Sequence, residues 1–320
     1  MLGLNKAQAR DRSKISPTFD GPSWLKLAQA DNGWRASTAA PIRPIQAHMG
    51  SELILLGLAL VGAGLFAGFV GGLFGIGGGA VIAPALYHLF GVIGVADEVR
   101  AHAAVATSLS TIITTSWRSV SAHAKAGAVD FAVLKAWLPF VALGAAAGGV
   151  VAGFTEASAL LMVFGAGLIL IAANMGLSSE SWRLAHTLPS GLPRAGIGAA
   201  IGALSALMGI GGGAFGVTLM TLCGRPIHQA VATASGFGAA IAIPATLAYM
   251  IVGWGREGLP LGSVGFVNLP GFAIVAALTA TTAPIGARMA HRLDRAKLKR
   301  LFAVFLALMG ANLLWEALRA

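Results

Sequence analysis

Two glycine-rich stretches with nearly the same sequence are the residues best suited to chemistry in this 320-residue chain. Residues 73–80 read LFGIGGGA and residues 207–214 read LMGIGGGA. The glycines of the first run are Gly75, Gly77, Gly78 and Gly79, and those of the second run are Gly209, Gly211, Gly212 and Gly213. The first stretch also fits the dinucleotide-binding fingerprint G-x-G-x-x-G/A, with Asp97 twenty residues after Gly77. Nucleotide binding is therefore the first role to test.

The surroundings of both runs argue against a nucleotide site. The fingerprint works in a soluble strand–loop–helix unit, whereas here the flanking residues are GLFAGFVGG before the first run and GAVIAPALYHLF from Gly79 onward. The second run has no acidic residue near position 231, and no Walker-type lysine follows either run. The sequence therefore predicts neither a dinucleotide nor ATP, and no other cofactor.

Composition indicates a membrane protein. Hydrophobic residues make up 56% of the chain and charged residues only 11%, against roughly 25% charged residues in a soluble domain. Apolar runs of about 20 residues, the length that crosses a hydrocarbon core, recur from Leu53 onward. The 44 glycines suit closely packed membrane helices. The predicted fold class is an all-α polytopic membrane protein with the lipid bilayer as a partner.

The net charge of +10 does not indicate nucleic-acid binding. Seven of the 22 Lys and Arg residues precede Met49, and six more lie between Arg288 and Arg300. Basic residues at the ends of membrane spans fix topology, so we predict no nucleic-acid partner. The single cysteine, Cys223, permits no disulfide within the chain, and no Cys/His cluster has metal-ligand spacing. No metal site is predicted.

Three regions are predicted along the chain. Residues 1–48 are polar, mixed in charge and contain four prolines, which predicts a disordered N-terminal extension; Met49 would itself make a plausible initiator. Residues 49–190 and 191–320 are predicted to be two transmembrane repeats. Their hydrophobic segments are 53–74, 77–91, 100–122, 131–153 and 157–177 in the first repeat, and 195–208, 212–224, 228–253, 270–288 and 298–317 in the second.

Three matches in the same order indicate an internal duplication. The run that begins at Gly75 recurs at Gly209, HAAVATS at 102–108 recurs as HQAVATAS at 228–235, and the Ala-Asn pair that ends at Asn174 recurs as the pair that ends at Asn312. If each glycine run is the tip of a hairpin of two half-helices, each repeat is that hairpin plus three transmembrane helices, and the repeats are inverted. If each run only kinks one span, the repeats are parallel.

Charge favours the inverted arrangement. Within residues 49–320 it places twelve basic residues on one side, in segments 118–135, 178–194, 225 and 288–300, and three, Arg100, Arg256 and Arg319, on the other. The seven basic residues of the predicted extension 1–48 oppose this arrangement unless the mature protein lacks that extension. The positive-inside rule assigns the richer side to the cytoplasm and both ends of the two-repeat region to the outside. The parallel arrangement separates the 288–300 cluster from the 118–135 cluster. We therefore expect inverted repeats.

The glycine runs could form an anion-binding site if they interrupt membrane helices. Non-helical backbone inside a membrane is tolerated where protein buries it or water reaches it, and glycine lets another backbone or a ligand approach closely. The free N–H groups and the dipole at a half-helix N-terminus form an anion site without a cationic side chain. Two such breaks facing one another would bind a small anion briefly. The alternative is that the glycines only allow tight helix crossings.

Hydroxyl residues follow each glycine run and are candidate anion donors. They are Thr107 and Ser108 in the first repeat and Thr233 and Ser235 in the second. Together with the eight glycines they form the predicted substrate pathway. Hydroxyls in a membrane helix also bond to carbonyls of their own helix, which is the alternative role. His102 and His228 are repeated as well, and for them we expect a capping or structural role rather than proton coupling.

These features resemble the sulfite exporter TauE/SafE family of membrane transporters. The resemblance rests on residues 71–79, GGLFGIGGG, on residues 206–213, ALMGIGGG, and on the AVATS-like stretch that follows each. It covers about residues 50–320. It implies transport of small sulfur-containing anions, such as sulfite or organosulfonates, across the bacterial cytoplasmic membrane, and it identifies no substrate-reading side chain.

We therefore expect a secondary transporter, and not an enzyme, that exports a small anion through the inner membrane of a bacterium. Without an ATP-binding motif, an ion gradient or the gradient of the substrate has to supply the energy. A channel-like facilitator without coupling is the first alternative. A membrane-embedded enzyme is the second, and the lack of clustered Asp, Glu or His within the spans argues against it. The sequence leaves the oligomeric state open, a homo-oligomer included.

Overall fold

Ten helices and one short β-hairpin make up the part of the chain that the computed structural model describes, which is residues 49–74, 77–177, 185, 187–289 and 295–319. The first predicted repeat contains α1 (Met49–Phe74), α2 (Gly79–Val92), α3 (Asp97–Lys125), α4 (Phe131–Phe154) and α5 (Ala157–Leu177). The second contains α6 (Gly191–Met208), α7 (Gly213–Leu222), α8 (Ile227–Val252), β1 (Ser263–Val264), β2 (Val267–Asn268), α9 (Leu269–Met289) and α10 (Arg295–Arg319). The predicted extension 1–48 and Gly75 lie outside the described residues.

The predicted all-α polytopic membrane fold is confirmed. Six of the described helices are long and apolar enough to cross a membrane by length and composition: α4, α5, α6, α8, α9 and α10. Large apolar side chains such as Leu143, Phe154 and Leu170 are exposed on the surface of these helices. So much exposed apolar surface would promote aggregation in water, whereas lipid tails cover it in a bilayer. Each of the ten predicted hydrophobic segments coincides with one helix.

Helix ends differ from the predicted segments where polar residues extend a helix. α3 has 29 residues and begins at Asp97, because the acidic Asp97 and Glu98 are favourable in the first turn of a helix. α6 begins at Gly191 rather than 195, and Pro193 lies in its first turn, where a proline costs no hydrogen bond. Each glycine run joins two helices into a helical hairpin: α1 and α2 form the first hairpin, and α6 and α7 form the second. In each hairpin the helix before the run, α1 or α6, is longer than a half-helix, and the helix after the run, α2 or α7, is short.

α3 and α8 pack against each other and run antiparallel. Thr107, in the N-terminal half of α3, contacts Asn268, the last residue of the β-hairpin that follows α8. Thr233, near the start of α8, contacts Asp130, which follows the end of α3. The start of each helix is thus level with the end of the other, which is the geometry that inverted repeats require. That the chain arose by duplication stays a prediction.

Small residues bring the first arm of each hairpin against a helix of the other predicted repeat. A Cβ on Gly72 in α1 would collide with the carbonyl oxygen of Ala283 in α9. A Cβ on Gly202 in α6 would collide with the carbonyl oxygen of Val141 in α4. Close helix packing accounts for these glycines, which lie outside the two runs.

The β-hairpin precedes α9 and lies level with the start of α3. β1 and β2 are antiparallel, with Ser263 opposite Asn268 and Val264 opposite Val267. The turn places the buried ring of Phe266 against the ring of His102, with 4.9 Å between the ring centroids. We call this end of the bundle end A. The opposite end, which contains Asp130 and the start of α8, is end B.

Candidate functional site

The second glycine run separates α6 from α7 with a tight left-handed turn. Gly209 has φ +65°, the N–H of Ile210 donates to the carbonyl oxygen of Ser205 over 3.0 Å, and the N–H of Gly209 donates to Ala206 over 3.4 Å. This pattern is a Schellman motif, in which a glycine takes the left-handed position because it has no Cβ. Gly212 then caps α7, and its neighbours Gly211 and Gly213 are buried.

The first glycine run also contains left-handed glycines. Gly77 and Gly78 have φ +75° and +76°, and Gly78 precedes the first residue of α2. The N–H groups of Val81 and Ile82 both donate to the carbonyl oxygen of Gly78, over 3.0 and 3.2 Å. Gly77, Gly78 and Gly79 are buried, and Gly75 lies outside the described residues. Each run thus leads into a short helix with its N-terminus inside the protein.

The two glycine runs touch each other. A Cβ on Gly79 would collide with the carbonyl oxygen of Gly209 and would lie 3.1 Å from Cα of Ile210. Only a residue without a side chain allows this approach of two backbones. Residues far apart in sequence therefore meet at one point in the core.

Ser108 joins the two runs by hydrogen bonding. Its Oγ lies 3.0 Å from the carbonyl oxygen of Gly209 and 3.4 Å from the carbonyl oxygen of Gly79, and it donates to them. Ser108 is fully buried in α3. The predicted association of this hydroxyl with the glycine runs is therefore present, and in this structure its hydrogen is directed at backbone carbonyls.

Thr107 and Thr233 make matching contacts at the two ends of the bundle. The N–H of Asn268, which precedes α9, donates to Oγ1 of Thr107 over 2.9 Å. The N–H of Asp130, which precedes α4, donates to Oγ1 of Thr233 over 2.9 Å. Each predicted hydroxyl residue thus anchors the start of a helix in the other predicted repeat, and neither contacts a glycine run through these bonds.

Ser235 bonds to its own helix, which is the alternative role described above for hydroxyls in a membrane helix. Its Oγ donates to the carbonyl oxygen of Ala232 in its own helix over 2.6 Å. Ser110 and Thr111 donate in the same way to Thr107 and Ser108, over 2.6 and 2.7 Å. Of the four predicted donors, the structure therefore places only Ser108 directly on the glycine runs.

The side chains nearest the two runs are uncharged. Cγ2 of Ile112 would lie 3.1 Å from a Cβ on Gly77, and Cδ1 of the same residue 2.7 Å from a Cβ on Gly79. A Cβ on Gly212 would collide with Cδ1 of Ile241 and lie 3.4 Å from Oγ of Ser205. Helix N-termini and hydroxyl hydrogens are therefore the sources of positive potential that lie beside these glycines.

Of the repeated histidines and asparagines, His102 and Asn174 join helices by hydrogen bonds. Nε2 of His102 lies 3.1 and 2.9 Å from the carbonyl oxygens of Ala152 and Thr155, so His102 caps the C-terminus of α4 as expected. His228 lies in the first turn of α8. Asn174 donates from Nδ2 to Oγ1 of Thr218 and joins α5 to α7, whereas Asn312 is exposed on α10.

Sequence reasoning missed three residues near these contacts. Asp130 and Asn268 directly precede α4 and α9, and Oγ of Ser205 lies close to Gly212 of the second run. Asn268 follows Asp130 at the same spacing at which Asn312 follows Asn174. This shared spacing could have identified Asp130 and Asn268 as equivalent positions of the two predicted repeats. Ser205 has no repeated counterpart, since a glycine occupies the equivalent position before the first run.

The described residues hold no group of three or more His, Cys, Asp or Glu side chains that could bind a metal ion. Cys223 is a buried free thiol next to the end of α7. The described residues at the runs offer backbone N–H groups, hydroxyls and apolar side chains, which can bind a small polar ligand.

Comparison with known proteins finds relatives that are named as membrane transporters. A probable membrane transporter protein from Haemophilus influenzae is 32% identical over 256 residues, which cover 79% of this chain and 96% of the relative. A probable membrane transporter protein from Methanocaldococcus jannaschii is 28% identical over 264 residues, covering 82% of this chain and 97% of the relative. No solved structure matches.

The family model described as sulfite exporter TauE/SafE matches residues 60–313. This range includes both glycine runs, all four predicted hydroxyl residues and every helix from α2 to α9. The chain therefore belongs to the sulfite exporter TauE/SafE family.

Proposed function

We propose that this chain is a secondary transporter that exports a small sulfur-containing anion, such as sulfite or an organosulfonate, across the cytoplasmic membrane of a bacterium. The family description names sulfite export, and the relatives are named as probable membrane transporters, which supports membrane transport as the general function. The anion and its direction of movement are the specific parts of the proposal.

The contact between the two glycine runs carries the proposal. Gly79 and Gly209 touch, and Ser108 bonds to both. The short helices α2 and α7 begin beside this contact, and the first turn of a helix has N–H groups without partners in that helix. Such groups stabilise an anion by hydrogen bonds and by the helix dipole. Because no cationic side chain is among the nearest neighbours of the runs, the bound anion would also be able to leave.

The antiparallel pairing of α3 and α8 supports alternating access around this point. The first hairpin reaches the contact from end A and the second from end B, since α2 leads into the start of α3 and α7 into the start of α8. Small movements of one hairpin against the other would expose the contact to one side of the membrane at a time. Among the described residues, most Lys and Arg belong to the segments predicted for the side of end B, so we place end B in the cytoplasm.

Two other functions predict different measurements. An uncoupled facilitator would move the anion down its own gradient without saturation at millimolar concentration and without a response to a proton gradient. A membrane-embedded enzyme would convert the substrate. The uncharged surroundings of the glycine runs give no support to catalysis there.

Flux into proteoliposomes tests the proposal. The purified chain would be reconstituted and the uptake of sulfite, sulfate, sulfoacetate and taurine compared, with and without a proton gradient. Saturable flux of one sulfur anion that responds to the gradient supports a coupled transporter. Unsaturable flux points to the facilitator. No flux of any of the four compounds, from protein shown to be folded, contradicts the proposal.

A further inference from the structure

We propose that the hydroxyl of Ser205 and the first-turn N–H groups of α7 together bind an oxygen atom of a small oxyanion. The proposal rests on the transport function proposed above and assigns the anion to one of the two glycine runs.

Ser205 is a fully buried serine in the last turn of α6. Its Oγ has no hydrogen-bond partner among the described residues. Ser110, Thr111 and Ser235 are buried in neighbouring helices as well, and each donates to a carbonyl of its own helix. A buried hydroxyl without a partner destabilises the folded chain, so such a group calls for an explanation. A hydrogen bond to a transported anion supplies one.

The Ser205 hydroxyl lies against the N-terminus of α7. A Cβ on Gly212 would lie 3.4 Å from Oγ of Ser205, and Gly212 is the N-cap residue of this ten-residue helix. A glycine cap has no side-chain oxygen, and no side chain caps the first turn of α7. The hydroxyl therefore lies beside the N-cap, the position from which an acceptor reaches the first-turn N–H groups, and an oxygen of an oxyanion placed there would accept hydrogen bonds from both.

The first hairpin shows the same relationship between this position of the fold and the helix N-terminus. Gly71 precedes the first glycine run at the same spacing at which Ser205 precedes the second. A Cβ on Gly71 would lie 2.6 Å from the backbone nitrogen of Gly78, the N-cap of α2. The same position thus points at the N-cap in both hairpins, and only the second hairpin has a hydroxyl there.

The N-terminus of α2 is less suited to an anion than that of α7. The carbonyl oxygen of Gly209 lies against Gly79, the first residue of α2, and its partial negative charge would repel an anion. At α7 the nearest atoms to a Cβ on Gly212 belong to Ile241, Ile201 and Ser205. Two of these neighbours are apolar and one is a donor, so none of them repels an anion.

Ile241 keeps this subsite closed in the present structure. Its Cδ1 would collide with a Cβ on Gly212, and Ile241 is fully buried. The side chain therefore fills the volume that an oxygen atom of the ligand would occupy. Binding of the anion requires a rotation of the Ile241 side chain or a shift of α8, and a shift of α8 would couple binding to movement of the hairpin against that helix.

The test is sulfite flux in proteoliposomes with the full chain carrying Ser205→Ala, compared with wild type and with Ser110→Ala. Ser110 is the matched control, because it is also a buried helical serine but donates to Thr107 in its own helix. Loss of a hydrogen bond to a charged ligand should raise KM for sulfite about tenfold in Ser205→Ala. The KM of Ser110→Ala should remain within about twofold of wild type, because this variant removes no contact to the anion.

A second readout separates binding from folding. Because Ser205→Ala removes an unbonded buried hydroxyl, its melting temperature in detergent should equal or exceed that of wild type. Addition of sulfite should raise the melting temperature of wild type and Ser110→Ala more than that of Ser205→Ala. An unchanged KM in Ser205→Ala, or a melting temperature clearly below wild type, overturns the subsite while transport by wild type stands. Absence of sulfite flux in wild type overturns both the subsite and sulfite as the substrate.

Discussion

The Oγ of Ser108 donates a hydrogen bond to the carbonyl oxygen of Gly209, which lies 3.0 Å away in space and 101 residues later in the chain. The same hydroxyl reaches Gly79 over 3.4 Å. A single hydrogen is therefore shared between the backbones of the two glycine runs. An anion that accepted this hydrogen would release Gly209, so anion binding and separation of the runs would compete for one donor.

Removal of the Ser108 hydroxyl should weaken the contact between the runs. Ser108→Ala leaves the carbonyl oxygen of Gly209 without this donor, and loss of a buried hydrogen bond costs about 1 kcal/mol in the free energy of unfolding. Flux should fall in the same variant, because the hydroxyl is a candidate donor to the anion. Denaturant titration in detergent measures the first effect, and proteoliposome flux the second.

Thr111→Val is the control for Ser108→Ala. Thr111 lies one turn further along α3 and donates to a carbonyl of its own helix, and valine has nearly the same shape. We expect its flux to be near wild type. Equal flux from Ser108→Ala and Thr111→Val would remove Ser108 from the substrate pathway.

An alanine at position 79 should prevent the two runs from touching. Its Cβ would collide with the carbonyl oxygen of Gly209 and lie 2.7 Å from Cδ1 of Ile112. Because neighbouring backbone has to move, we expect a cost of about 1–3 kcal/mol in stability and a loss of most transport activity. Membrane insertion should persist, since hydrophobicity is unchanged. Flux and fluorescence-detected size-exclusion profiles measure the two properties.

Gly196→Ala is the matched comparison for Gly79→Ala. Gly196 lies in α6, with no atom within 4 Å of the position that its Cβ would take. Alanine in a helix is favoured over glycine by about 1 kcal/mol. Its flux should equal that of wild type. A normal rate from well-folded Gly79→Ala would contradict a role for close contact between the runs.

The threonine contacts at ends A and B should contribute separately to stability. Thr107→Val leaves the N–H of Asn268 without its acceptor, and Thr233→Val does the same to Asp130. The loss should cost about 1–3 kcal/mol at Asn268, whose N–H is buried, and less at Asp130, whose N–H is only partly buried. The two contacts lie at opposite ends of the bundle, so the double variant should equal the sum within about 0.5 kcal/mol. Serine at either position keeps the hydroxyl oxygen, so Thr107→Ser and Thr233→Ser should retain most of the stability that the valine variants lose.

Asp130 combines a helix cap with an ion pair, and two substitutions separate the roles. Its Oδ1 accepts from the N–H groups of Ala132 and Val133 over 3.1 and 3.0 Å, while Oδ2 lies 3.4 Å from Nη1 of Arg225. Asp130→Asn keeps a good cap and loses the partly exposed ion pair, which should cost less than about 1 kcal/mol. Asp130→Ala loses both and should cost about 1 kcal/mol more. Equal losses in stability from the two variants would show that the cap contributes nothing.

The sequence could predict the elements but not the pairs of residues that join them. Hydrophobic length located the ten segments, and the repeated glycines located the helix breaks, because both signals are local. The partner of Thr107 lies 161 residues away and is a backbone N–H, which has no signature in sequence. A buried hydroxyl can bond to its own helix, as that of Ser235 does, or to a glycine run outside its helix, as that of Ser108 does. Tertiary packing decides between the two.

Membrane sidedness gives the last prediction. The structure places the end of α3 at end B and the loop between α8 and β1 at end A. With the repeats inverted, cysteines at the exposed positions Lys125 and Glu257 should lie on opposite sides of the membrane. If each glycine run only kinked a span, both positions would lie on the same side. We expect a membrane-impermeant maleimide to label Glu257→Cys in intact cells and Lys125→Cys only after permeabilisation, in a Cys223→Ala background. Labelling of both in intact cells would contradict the inverted arrangement, and the reverse pattern would keep the inversion but place end B outside.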